Sequence, residues 1–172
     1  MKLESLSFDQ ARLDEFLRDQ MEHDRGLLVR RLELAAERLA ELSTKVPGAG
    51  AEGEDWNARE VLAHIAVLSK FYGVAAKRIA EGAWTQIDLL AMVTQRDVAG
   101  EATAKLPVDE IAAMAAGNLG KTLEFLRGAD VESLYRRATV AEDRTLSAEE
   151  FLRLALCSHV ETHLDQLERA LA

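Results

Sequence analysis

Apolar residues in this chain recur at intervals of three and four over long stretches. An α-helix is the regular structure that gathers such a pattern onto one face. Over residues 9–43 the stripe is Leu13, Phe16, Leu17, Met21, Leu28, Leu32, Ala35 and Leu39. Ala, Leu, Glu and Arg, all strong helix formers, dominate the sequence, and alternating Val/Ile/Thr-rich runs are nearly absent. Gly26 lies inside the first stretch and costs about 1 kcal/mol relative to Ala, so a break is expected near residues 22–26. The run KVPGAGAEGED, residues 45–55, collects Pro and Gly and reads as a loop.

The second helix has a clear start. Asn57 can accept from free first-turn N–H groups, and Glu60, three residues on, completes a capping box. It is expected to reach about Glu81 and stop at Gly82. Residues 83–106 are less regular, with a short helix expected around Gln86–Asp97 and Gly100 as its breaker. Pro107 suits the first turn of a third helix, which ends at Gly128. A polar connection follows, whose LYRRATV stretch pairs briefly as strand. Ser147 and Glu150 then form a second capping box, and the last helix runs to the C-terminus. Four main helices in a single domain over 1–172 predict an all-α four-helix bundle.

Charge and cysteine content narrow the function classes. With 21 Lys+Arg against 30 Asp+Glu the net charge is −9, which counts against nucleic acid as a partner because phosphate binding needs clustered cations. The pairs Arg30–Arg31 and Arg136–Arg137 read as solvated helix charges. A lone cysteine excludes an intrachain disulfide framework and fits a reducing cytoplasm. The opening MKLESLSFDQARLDEF carries acids every few residues and no apolar core of a secretory signal. Apolar runs such as Leu89–Val93 are far below the roughly 20 residues needed to span a bilayer. A cytoplasmic protein with no membrane partner is expected.

The histidines carry the chemistry. His159 and His163 are four residues apart, one turn apart on one helix face, and two such imidazoles can chelate one divalent cation such as Zn, Ni or Fe. The metalloprotease helix motif also has this spacing, but it needs Glu directly after the first histidine. Here that residue is Val160, and Glu161 points about 200° away from His159. A third ligand must come from another helix. His64 shares the core-facing stripe of the second helix with Glu60, Leu68, Phe71 and Ala75. It lies about 25 Å from that helix's C-terminal end, while His159 and His163 lie about 18 and 24 Å from the start of the last helix. Antiparallel neighbours therefore bring all three rings to one level. Parallel neighbours leave His64 roughly 8–13 Å out of level. The antiparallel arrangement needs a long crossover between the second and third helices, and residues 82–106 can supply it. His23 reads as a surface histidine.

These residues resemble a known family. Trp56-Asn57-Ala58-Arg59-Glu60-Val61-Leu62-Ala63-His64-Ile65 is similar to the second-helix signature of the DinB/YfiT-like superfamily, and HVETHLDQLERAL, residues 159–171, to its fourth-helix signature. That superfamily includes the N-terminal domains of mycothiol-dependent maleylpyruvate isomerases and the bacillithiol S-transferases. DLLAMVTQRDVAG (88–100) and RTLSAEEFLRLAL (144–156) also resemble its actinobacterial-type branch. The resemblance implies an up-down-down-up bundle and a divalent metal held by His64, His159 and His163. Where several family members carry an acidic or polar residue one turn after the first histidine, this chain has Val67 and Leu68.

Three neutral ligands leave the metal's full charge and open coordination positions, the usual catalytic pattern for zinc. Such a metal, Zn or Ni, can bring the pKa of bound water from 15.7 towards about 7, or bind and deprotonate a thiol. The second route fits the thiol-transferase relatives and implies a small-molecule thiol and an electrophile as substrates. Metal-dependent hydrolysis and a non-catalytic metal or small-ligand binding module are the alternatives. Gln166 shares the histidine stripe and could orient a ligand histidine or substrate, or simply be a polar residue near the helix end. Glu60 could sit beside the metal ligands, although capping already explains it. Gln20, Asp24 and Arg31 interrupt the first helix's apolar stripe and could line a pocket. Cys157, about 160° from the histidine stripe, reads as a packing residue. Trp56 reads as closing the base of the second helix. Dimerisation through helix faces is left open.

Overall fold

The computed structural model describes residues 10–48, 56–142 and 144–172. The first nine residues, with most of the opening segment read for a signal, and the later part of the 45–55 loop lie outside the described residues. The fold is mostly helical, with one small two-stranded sheet. The helices are α1 (Gln10–Ser43), α2 (Ala58–Ala80), α3 (Leu89–Thr103), α4 (Val108–Gly128), α5 (Ala148–Phe151) and α6 (Ser158–Leu171). A π-helical stretch, Leu152–Cys157, joins α5 to α6, so residues 148–171 form one continuous rod.

The ends of these helices follow local chemistry. The Asn57 side chain accepts from the backbone N–H groups of Arg59 and Glu60, both at 3.1 Å, and the Glu60 carboxylate accepts from Asn57 N–H at 2.9 Å. Loss of such a cap costs about 1 kcal/mol. At the other end Gly82 takes φ +73°, the left-handed geometry that stops a helix. Ser147 and Glu150 form the second reciprocal box, at the head of α5.

Neighbour directions follow from side-chain pairs. Arg31 meets Glu161, and Arg38 meets Asp165 and Glu168, so α1 and α6 run parallel. Arg25 donates to the carbonyl of Ala129 and Arg127 to Glu33, so α1 and α4 run antiparallel. Asn118 donates to the carbonyl of Ala66, and Arg59 to that of Leu106, so α2 and α4 run parallel. Trp56 lies by His163 and Tyr72 by His159, so α2 runs antiparallel to α6. Each of α1 and α2 packs against both α4 and α6, and α3 packs on the outside of α2. One apolar core joins them, with Leu28, Leu32, Leu62, Leu68, Leu119 and Phe151 all fully buried. Each such side chain contributes roughly 1.5–3 kcal/mol.

Two expectations need correction, the break near residues 22–26 and the crossover helix, and two further features lie outside the sequence reading. The helix passes straight through residues 22–26, because Gly26 is flanked by open space and the strong helix formers on either side outweigh one glycine. The apolar stripe of α1 begins its core packing only at Leu28, whereas Leu13, Phe16 and Leu17 are 39%, 53% and 45% exposed. The physical reason is length: Arg25 already sits level with Ala129, one residue past α4, so the earlier turns project beyond it. The crossover helix is Leu89–Thr103 rather than Gln86–Asp97 and runs through Gly100. Its start is fixed by Asp88, whose carboxylate accepts from Ala91 N–H at 2.9 Å. Finally, the last helix is not uniform, because it widens into the π-helical stretch.

The LYRRATV segment contributes β1 (Arg137–Ala141), antiparallel to β2 (Arg144–Ser147) with Ala138 opposite Leu146. Thr139 also exchanges backbone hydrogen bonds with Thr85 and Ile87, which ties the start of the crossover to the sheet. Among the described residues no helix is long and apolar enough to cross a membrane.

Candidate metal centre

His64 projects from the second turn of α2, where the capping box fixes the helix start. It is only 4% exposed. His159 and His163 come from the first turns of α6, directly after the π-helical stretch. Ring centroids lie 4.4 Å apart for His64 and His163, 4.8 Å for His159 and His163, and 5.7 Å for His64 and His159. One ring nitrogen from each residue falls within 4.8 Å of the other two. Zn–N bonds of about 2.0–2.1 Å require these nitrogens to be somewhat closer.

The electrostatics favour neutral rings. Burial, then the neighbouring His163, then the cation of Arg96, push His64 down to about 3. His159 is pushed down to about 4 by burial first and by His163 and Arg96 next. His163 is lowered by burial, while its bond to Gln166 acts in the opposite direction. At neutral pH all three therefore offer lone pairs, the state a divalent cation needs.

A supporting hydrogen bond fixes which nitrogen of His163 is free. Nδ1 of His163 lies 2.9 Å from Oε1 of Gln166. A carboxamide oxygen only accepts, so Nδ1 donates and Nε2 keeps its lone pair. This is the pattern of a supported metal-binding histidine, in which one nitrogen is anchored and the other is presented. The donor set fits a divalent cation with borderline-soft preference, such as Zn or Ni.

The surroundings include residues that the sequence pattern did not single out. Tyr72 packs its ring on His159, with centroids 5.8 Å apart, and its hydroxyl accepts from Nη1 of Arg96 at 2.8 Å. Asp97 accepts from Nε and Nη2 of the same guanidinium. Tyr72 is eight residues after His64, a little over two turns, so it could have been found by extending the histidine stripe with a wider angle. Arg96 could not, because spacing does not show how α3 lies across α2. A cavity of about 560 Å³ opens beside His64, and its walls include Trp56, Glu60, Asp97, Glu101 and Lys105.

Trp56 does more than close the helix base. Its ring lies 4.6 Å from that of His64 and 6.1 Å from that of His163, covering one side of the cluster. Gln166 is a histidine-orienting group, as its contact with His163 shows. Glu60 is held in the capping box, on the cavity wall. Gln20, Asp24 and Arg31 are not brought to the histidines. Gln20 is exposed, Asp24 accepts from Tyr135 and pairs with Arg153, and Arg31 holds Glu161 and Ser158. His23 is exposed. Cys157 is buried, and that burial pushes its thiol up to about 12, as suits a packing residue. Val67 and Leu68 are both buried in the core side of α2.

Comparisons of the chain with protein families, with curated proteins and with solved structures find no match.

Proposed function

We propose that the chain is a divalent-metal protein of the DinB/YfiT-like type, built as an up-down-down-up four-helix bundle from α1, α2, α4 and the 148–171 rod. We further read it as a cytoplasmic, metal-dependent enzyme that transfers a low-molecular-weight thiol to a small electrophile. The directions of the helix pairs support the bundle. The observation that carries the functional reading is the cluster itself: three neutral imidazoles from two antiparallel helices present nitrogens within 4.8 Å of one another beside an open cavity.

His64, His159 and His163 would hold the metal, and Gln166 keeps the His163 ring aimed. When bound, Zn or Ni supplies a Lewis acid that makes a thiol acidic at neutral pH. Trp56 shields one side of the cluster from water, and the cavity by His64 has room for the electrophile. The transfer balances without an oxidant. The sulfur pair forms the new S–C bond, the leaving group departs with its bonding pair, and the thiol proton passes to solvent.

Titration of the purified chain with Ni or Zn tests this reading. Expected are stoichiometric uptake, quenching of Trp56 fluorescence by Ni, and loss of both in His159→Ala. Equal uptake by the variant and the parent chain removes the metal reading. Uptake without turnover of any thiol paired with 1-chloro-2,4-dinitrobenzene removes the enzyme and leaves a binding module.

A further inference from the structure

A guanidinium placed in a sheltered position beside neutral metal ligands needs an explanation. The side chain of Arg96 is 11% exposed, although it belongs to the outer helix α3 and has an exposed acid next to it. Its five N–H groups are unequally used. Nε and Nη2 each donate to one oxygen of Asp97, and Nη1 donates to Tyr72 Oη. One N–H on each Nη has no acceptor among the described residues. Tyr72 in turn is stacked on His159, so a single side chain separates the guanidinium from the histidine cluster.

The structural alternative is that Arg96 merely staples α3 to α2. A lysine or a neutral donor would serve for one bond to a tyrosine hydroxyl. A planar fork with N–H groups left over is suited instead to a carboxylate. The two cations that line the cavity itself, Arg59 and Lys105, are less suited to that role. Both Nη groups of Arg59 donate to main-chain carbonyls, those of Gly48 and Leu106, and Lys105 is exposed. Three neutral imidazoles with a +2 ion would also leave the site strongly positive, a field that draws small anions inward.

We propose that Arg96, steadied by Tyr72, is the specificity-determining group that recognises a carboxylate on the small molecule bound at the histidine cluster, so that the substrate class is anionic thiols rather than neutral ones. This rests on the metal reading above. Arg96 acts here as a binding group and holds no proton in the transfer. Asp97, which lines the cavity, keeps the guanidinium oriented while the site is empty of substrate.

The test uses the full chain loaded with Co as a coloured substitute for Zn, and two probes that differ in one group: mercaptoacetate and 2-mercaptoethanol. The sulfur-to-cobalt absorption band reports each thiol directly, without turnover. The parent chain is expected to prefer mercaptoacetate by about tenfold or more, the value of one charge-assisted contact. Arg96→Gln should bring the two affinities within about twofold of each other, each measured on the cobalt-saturated chain, and Arg96→Lys should restore part of the preference. If the parent chain shows no cobalt spectrum, the metal reading fails and takes this proposal with it. If cobalt binds normally but the preference is absent, or survives in Arg96→Gln, this proposal alone is overturned. Should Arg96→Gln not fold, Arg96→Lys and Tyr72→Phe carry the test, and an undiminished preference in both overturns it.

Discussion

Oε1 of Gln166 sits 2.9 Å from Nδ1 of His163, one turn earlier on the same helix. That contact selects the tautomer of the histidine and holds its plane. Removing the acceptor in Gln166→Leu should weaken Ni or Zn binding by roughly 10- to 100-fold, the usual effect of losing such a support. Gln166→Glu retains an acceptor and should keep the affinity near or above that of the parent chain. Competition titration against a chromophoric chelator measures both. A Leu variant as tight as the parent would show that Gln166 does not support the ligand.

The histidine trio also makes stability depend on pH in a defined direction. The folded state holds His64 at about 3, below its ordinary 6.5, so between those values the unfolded chain binds more protons. Stability from this source is therefore complete above about pH 6.5 and is lost progressively as pH falls towards 3. Each pKa unit corresponds to about 1.4 kcal/mol, so lowering the pH from 7 to 4.5 should destabilise the metal-free protein by about 2.5 kcal/mol through His64 alone. Urea unfolding at both pH values, with chelator present, should show a smaller loss in His64→Leu than in the parent. An equal loss in the two proteins contradicts the assignment.

Glu161 lies between the two histidines in sequence but turns to Arg31 on α1, which it binds through both carboxylate oxygens. Burial opposes the charge of Arg31, yet the bond to Glu161 raises its pKa above the usual value. Glu161→Ala should cost about 1 kcal/mol, as expected for a half-exposed pair, and leave metal affinity unaltered. Thermal unfolding and the same metal titration separate the two effects. Any large change in metal binding would place Glu161 at the centre after all.

Where α2 meets α4, the space in front of Gly73 is already filled. A Cβ at that position would overlap Thr122 Oγ1, whose hydroxyl donates to the carbonyl of Asn118 at 3.2 Å. Gly73→Ala should destabilise by about 1–3 kcal/mol through overpacking. Adding Thr122→Ala removes the obstructing oxygen and should recover most of that loss, because the next nearest atom, Thr122 Cβ, is at an ordinary 3.6 Å. A double-mutant cycle in denaturant reads the coupling. Simple additivity would mean that the helices move apart at no cost.

Much of the site could be read from spacing because it is built on helix periodicity. His159 and His163 share a face by virtue of their four-residue separation, and the level of His64 follows from helix rise once α2 and the last helix are taken as antiparallel. Asn57 and Glu60 announced the start of α2 by local chemistry alone. Arg96 was not legible, because its position depends on how α3 lies across α2, a tertiary matter. The projection of the first turns of α1 is illegible for a related reason. The pattern Leu13–Phe16–Leu17 records amphipathicity but carries no information about how far the neighbouring helices extend. Trp56 was placed on the correct helix end, yet its direction over the histidines is a rotamer choice that no spacing encodes.

The wide turn at Leu152–Cys157 has a consequence for how the rod is to be counted. In a uniform helix, Phe151 and His159 would stand about 80° apart. Yet Tyr72 touches both, with each ring centroid 5.8 Å away. The π-helical turn, where Ser158 N–H reaches back to Arg153, absorbs roughly one residue and brings the two onto a common bearing. The rod is thus two registers spliced together, one keyed to the core through Phe151 and one keyed to the imidazoles. A template helix of constant pitch laid through this segment would aim the histidines about a quarter-turn away from His64, and the splice is what lets a core face and a ligand face occupy the same line.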